Sequence, residues 1–92
     1  MKIWLDDIRP APNGYIHCRS VNEAIELIKN AKEPIEQLEL DHDLGDYAFD
    51  GGDGIKLLDY LAETEQYYPV NLHTMNPVGR ENMQRLINRY WK

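Results

Sequence analysis

The stretch LELDHDLGD, residues 38–46, decides how the chain is read. Leu38, Leu40 and Leu44 alternate with charged side chains, and Gly45 closes the run. A period of two that ends in acids and a glycine describes a short strand running into a loop, with Asp41, His42 and Asp43 at its exit. Three ionisable groups crowded at a strand tip repel or desolvate one another unless a cation, proton or partner compensates. The tip therefore reads as the floor of a site.

Upstream, Lys2 to Asp6 (KIWLD) is an apolar run ending in acid, which suits a strand buried on both faces of a parallel sheet. Asp7 and a loop from Ile8 to Gly14 follow, with Pro10, Pro12 and the Asn13-Gly14 turn signal; Tyr15 to Cys18 is a second short strand. Ser20 and Glu23 form a capping box for a helix reaching about Asn30, with Val21, Ala24, Ile25 and Ile28 on one face. Pro34 excludes further helix, and Leu38 to Asp41 is the third strand.

Downstream, Gly45 to Gly52 reads as a loop, and Asp53 as the N-cap of a helix striped by Ile55, Leu58, Leu61 and Ala62. Tyr67, Tyr68 and Pro69 connect to a fourth strand, Val70 to His73. Asn76-Pro77 opens the last helix, with Met83, Leu86, Ile87 and Tyr90 on its apolar face and Tyr90 and Trp91 expected to pack on the sheet.

The order β, β, α, β, α, β, α implies a mainly parallel sheet of about four strands with three helices. The first connection is short, so β2 is either antiparallel or reached by an extended return. The parallel reading is preferred, because the next helix then leads back to the start of the third strand. Ligands of such sheets sit beyond the carboxyl ends of the strands. That rule gathers Asp6, Asp7, Asp41, Asp43, His73 and Asn76 at one edge.

With 92 residues, the chain is read as one domain, 1–92. A net charge of -6 argues against a broad grip on nucleic acid or acidic membranes, but not against a small phosphate-bearing substrate or an RNA end. The single Cys18 is expected to be buried and unpaired. No apolar stretch suits a signal peptide or membrane span, so a cytoplasmic location is expected. Oligomeric state is not decided by the pattern.

The acids at the edge (Asp6, Asp7, Asp41 and Asp43) are oxygen ligands suited to Mg²⁺ or Mn²⁺, or else loop formers and caps. Without a cation, one of them should stay protonated near neutral pH. His73 reads as a general acid/base, a phosphate contact or a structural histidine. The helix at Asn76-Pro77 aims free N–H groups at the edge. Arg80 in its first turn and Arg9 beside Asp7 suit an anion, or pair with the acids. No P-loop, dinucleotide fingerprint, nucleophile elbow or zinc spacing occurs, and Gly51-Gly52-Asp53-Gly54 is too weak a signal for a phosphate loop.

Assembled in this way, the chain resembles response-regulator receiver domains in outline. Asp6 and Asp7 match the receiver's cation position and Asp41 its phosphoacceptor. The chain departs in lacking a helix between the first two strands and a fifth strand with the receiver lysine. Where a receiver has Thr or Ser after strand four, His73 stands. LDDIRPAP, LDHDLG, the Asp/Gly stretch and HTMNPVGRENM resemble more closely the cyclic-phosphate processing receiver domains.

That resemblance implies a small receiver-like (flavodoxin-like) three-layer α/β sandwich and an activity on cyclic phosphates such as RNA 2′,3′-cyclic phosphates. By matching position, Asp6, Asp7, Asp41, His73 and Asn76 are its active residues, supported by Asp43 and Arg80. The leading expectation is a metal-dependent phosphoesterase of cyclic phosphates. Here Asp41, His73 and Asn76 act in catalysis, Arg9, Arg80 and Asn76 bind phosphate, and Asp6, Asp7, Asp41 and Asp43 hold the metal. The alternatives are a non-catalytic phosphoacceptor or pseudo-receiver signalling module, and a Toprim-like metal nuclease suggested by the D-x-D at Asp41 and Asp43.

Overall fold

Alternation within four short strands organises the molecule, seen in a computed structural model that describes residues 1–92. Strands β1 (Lys2–Leu5), β2 (Tyr15–Cys18), β3 (Gln37–Leu40) and β4 (Val70–Leu72) form one sheet in the order β2-β1-β3-β4, every pair parallel. The helices are α1 (Val21–Lys29), α2 (Ile55–Glu63) and α3 (Pro77–Tyr90). The fold is thus α/β with four parallel strands and three helices, and β2 is parallel as expected. The loop at 6–14 crosses back without a helix. Nine extended residues reach about 30 Å, well beyond the ~13 Å length of a four-residue strand.

The register puts Ile3, Leu38 and Val70 in one row and Leu5, Cys18, Leu40 and Leu72 in the next, all on one face. These rows join Val21, Ala24 and Ile28 of α1, Leu57, Leu58 and Leu61 of α2 and Met83 of α3 in a single core. The other face carries Trp4, His17, Glu39 and Asn71 in one row and Lys2, Tyr15 and Gln37 in another, none of them fully buried. All three helices therefore cover the same face. The expected third layer is absent, and the molecule is two layers with one sheet face open. The physical reason lies in the strand order: β2→α1→β3 and β3→α2→β4 both step across the sheet in the same direction. Right-handed crossovers in one direction place their helices on one side.

Local chemistry fixes the helix starts. The Ser20 hydroxyl accepts the Glu23 N–H at 3.1 Å and donates to Asp50 at 2.6 Å, while the Glu23 carboxylate reaches back to the Arg19 N–H rather than to Ser20. Asp53 is not the N-cap of α2. Gly54 holds that position, and Asp53 accepts the Leu44 N–H at 3.2 Å instead. Gly54 sits where a Cβ would strike the Asp41 carbonyl oxygen, and its N–H bonds the His42 carbonyl at 2.7 Å. That close approach locks the start of α2 onto the end of β3. The expected 45–52 loop contains a 3₁₀ turn, Gly45–Phe49. Tyr90 is exposed rather than packed on the sheet, whereas the Trp91 indole N–H donates to the Tyr68 carbonyl at 2.8 Å at the core margin.

Candidate functional site

The chain passes from β1 to β2 on one side and returns to β3 on the other. The switch point of the sheet therefore lies between the carboxyl ends of β1 and β3. Asp6, Asp7 and Asp41 leave the strands there, each offering a carboxylate oxygen within 4.8 Å of the others. Asp6 is buried. Its Oδ1 accepts the N–H groups of Ile8 and Arg9, both at 2.9 Å, and its Oδ2 lies 3.0 Å from His73 Nε2. Burial pushes the Asp6 carboxyl up, but the two backbone donors and His73 outweigh it and hold Asp6 below the usual carboxylate range.

Asp41 is the opposite case. Burial raises it, the nearby Asp6 charge adds to that, and the His42 N–H, the Thr74 hydroxyl and His73 only partly offset the rise. The pair thus splits into one anchored anion and one carboxyl reluctant to ionise, as expected for an acid cluster without a counter-charge. Asp7 is seated by Gly45, whose φ is +54° and whose missing Cβ would lie 2.6 Å from Asp7 Oδ2. A side chain there would be strained and would displace the carboxylate. The trio is an all-oxygen set, and this donor chemistry fits Mg²⁺ or Mn²⁺.

Asp43 does not join the trio. It groups with His42 and Asp53, accepting from His42 Nδ1 at 2.7 Å and from the Asn76 amide at 3.1 and 3.2 Å. Those two partners hold it below the usual range. The D-x-D of Asp41 and Asp43 therefore divides between two clusters. The His42 ring packs against Gly79 in α3, a joint between strand end and helix.

Asn76 has both ends of its amide engaged, Nδ2 on Asp43 and Oδ1 on the Gly79 N–H at 3.0 Å. Pro77 has no N–H, and the Arg80 N–H bonds the Asn76 carbonyl at 2.8 Å, which leaves Val78 alone with a free donor in the first turn of α3. The guanidinium groups of Arg9 and Arg80 donate to the carbonyls of His73 at 3.0 Å and Leu72 at 3.2 Å. Arg9 stays close to the acids, its Nε 4.0 Å from Asp6. Arg80, read from sequence as an anion binder, thus gives one of its guanidinium donors to the backbone, and the helix start keeps one free N–H. A sequence names a donor but not the acceptor that wins it.

His73 stands just past the end of β4 and reaches over β3 to Asp6. Its ring stacks on Trp4, with centroids 3.9 Å apart and planes 6° apart. Trp4 and Glu39 were missed as parts of this region, although alternation places both on the face of Asp6 and Asp41. Thr74 was also missed: its buried hydroxyl serves Asp41 and accepts the Asn76 N–H at 3.1 Å. A receiver-like hydroxyl is therefore present one residue beyond His73. The surface grooves lie elsewhere, between α2 and α3 and beside the start of α1, so the trio is an open edge rather than a cavity.

The chain belongs to the family of cyclic-phosphate processing receiver domains, whose sequence model matches residues 1–89. No curated protein matches the chain. No helix is long and apolar enough to cross a membrane.

Proposed function

We propose that this domain is a divalent-cation-dependent phosphoesterase that opens a cyclic phosphate. The carrying observation is the convergence of Asp6, Asp7 and Asp41 within 4.8 Å at the switch point of the sheet, with His73 on Asp6. Family membership supports a cyclic phosphate as the substrate class. Asp6, Asp7 and Asp41 are the residues that would hold Mg²⁺ or Mn²⁺, which supplies charge neutralisation at the phosphoryl oxygens when bound. Asp43 supports from outside the trio by tying Asn76 to the β3 exit.

In the ring-opening step, the oxygen of water bonds to phosphorus and one ring P–O bond breaks. The proton of the attacking water passes to a carboxylate oxygen of Asp41. His73, the imidazole nearest the trio, gives the Nε2 proton that it shares with Asp6 to the departing ring oxygen, and exchange with solvent restores both residues. Arg9 is placed to neutralise phosphate charge beside Asp6. Asn76 and Arg80 act on this reading by fixing α3 and the end of β4.

One observation favours a second reading, a phosphoacceptor module in which Asp41 itself is modified: the Thr74 hydroxyl faces the Asp41 carboxyl. One experiment separates the two. The protein, Asp41→Asn and His73→Ala are incubated with nucleoside 2′,3′-cyclic phosphates, with and without Mg²⁺ or Mn²⁺. Cation-dependent ring opening lost in both variants supports the esterase. No turnover, together with a stable acyl phosphate on Asp41 after exposure to acetyl phosphate, supports the module instead.

A further inference from the structure

We infer that Glu39, held by Asn71 on the open face of the sheet, is a positioning residue that sets the ring of His73 against Asp6. Trp4, Glu39 and Asn71 share one register row across β1, β3 and β4, and they form a platform one step below the acids. The imidazole of His73 lies on that platform, its ring flat on the indole of Trp4. Its Nε2 faces Asp6 Oδ2 at 3.0 Å.

Its Nδ1 is buried and has no hydrogen-bond partner. The group it faces is the Glu39 carboxylate, with Oε2 3.9 Å away. Glu39 is itself mostly covered, with 16% of its side chain exposed, and Asn71 Nδ2 contacts both of its oxygens at 3.1 and 3.4 Å. A buried ring nitrogen without a partner is costly, and the Glu39 carboxylate stands within a small side-chain movement of it. Asp6 accepts only, so Nε2 carries a proton. Glu39 also accepts only, so it holds the Nδ1 edge when that nitrogen carries a proton too, and a ring turned over would put carbon atoms against both carboxylates. The chain Asn71–Glu39–His73–Asp6 thus runs from the exposed edge strand to the trio. Glu39 touches neither the trio nor the substrate position, and it acts through His73.

The test needs neither cation nor turnover in its first arm. The ring nitrogens and ring protons of His73 are recorded by long-range ¹H–¹⁵N NMR at one fixed neutral pH, with chelator present, in wild type, Glu39→Ala, Glu39→Gln and Asn71→Ala. We expect the upfield ring-proton shifts imposed by Trp4 and the wild-type nitrogen pattern to be lost in Glu39→Ala. The near-isosteric Glu39→Gln, which still offers a hydrogen-bonding group to Nδ1, should retain them. A wild-type His73 pattern in folded Glu39→Ala overturns the inference, as does an equal loss in Glu39→Gln.

Should Glu39→Ala lose its dispersed amide spectrum, Asn71→Ala, altered at an exposed position, gives the deciding reading. A displaced His73 ring supports the role and an unchanged ring overturns it. The second arm rests on the esterase reading: Mn²⁺ alone is titrated into each protein, with Asp41→Asn as control. Glu39 stands one step behind His73, the direct partner of the ligand Asp6, so Glu39→Ala should bind Mn²⁺ several-fold more weakly and Glu39→Gln within about 2-fold of wild type. If the ring moves in Glu39→Ala while Mn²⁺ fails to bind any of the four proteins, the positioning role stands and the cation reading fails.

Discussion

The two faces of the sheet are built from alternate residues of the same strands, and they have opposite jobs. In β1, Ile3 and Leu5 are fully buried beneath the helices, while Lys2 and Trp4 face away from them. In β3, Leu38 and Leu40 belong to the core, while Glu39 lies beneath His73. The covered face is apolar and satisfied by packing. The open face carries the ion pairs and stacked rings that lead to Asp6 and Asp41. A strand of four residues thus encodes stability on one parity and the site on the other. Stability and chemistry should therefore respond to different positions one residue apart.

The largest effect belongs to the covered face. Leu40→Ala removes a fully buried side chain at the junction of sheet and helices and should cost about 3 kcal/mol in urea unfolding. A cost below about 1 kcal/mol would mean the helices are not packed on this face as described.

Next comes the reverse sign at the open edge. Asp41 is raised by burial and by the Asp6 charge, so its ionised form opposes folding. That penalty is present above the raised folded value and disappears below the ordinary value of 3.8. Asp41→Asn should therefore be more stable than wild type at neutral pH in chelator, with the difference closing on acidification. It should also abolish ring opening. A destabilised Asp41→Asn would show that the trio is not under electrostatic strain.

On the helix side, Asp50 makes the contrasting acid. The Ser20 hydroxyl and the Asn22 amide hold it below 3.8, so it contributes stability that is present above that value and lost as pH falls through its lower folded one. Asp50→Asn should be less stable than wild type at neutral pH, and this difference too should vanish in acid. Opposite signs for the two Asp→Asn variants in the same pH series would sharpen the contrast, and equal signs would break it. The smallest effect is expected at Lys2, exposed on the open face, where Lys2→Ala should stay within about 0.5 kcal/mol of wild type by the same urea measurement.

Most of the elements were readable because their signals are local. The Ser20 capping box, the Asn76-Pro77 start and the apolar stripes of α1 and α2 need only neighbours three or four residues away. The parallel order and the meeting of Asp6, Asp7, Asp41 and His73 followed from one topological rule. The layering was misread because Trp4 made KIWL look continuously apolar. Its indole in fact rests on His73, which is 69 positions away in sequence. Asp53 looked like a cap because nothing local reveals that the Leu44 N–H would claim it. Asn76, Arg80 and Asp43 were identified as site residues, but their partners depend on how α3 seats against β3. Glu39 and Thr74 escaped notice because a lone Glu on a strand and a Thr after a His carry no pattern.

The bond from Arg80 to the Leu72 carbonyl has a consequence for self-association. β4 uses the carbonyls of its odd-numbered neighbours toward β3, so that of Leu72 points away, along an edge with no strand beside it. An incoming chain would find that acceptor already occupied by a charged group. Three residues of strand and one arginine leave little template for growth at the β4 edge, so the residue first read as an anion binder also blunts that edge of the sheet.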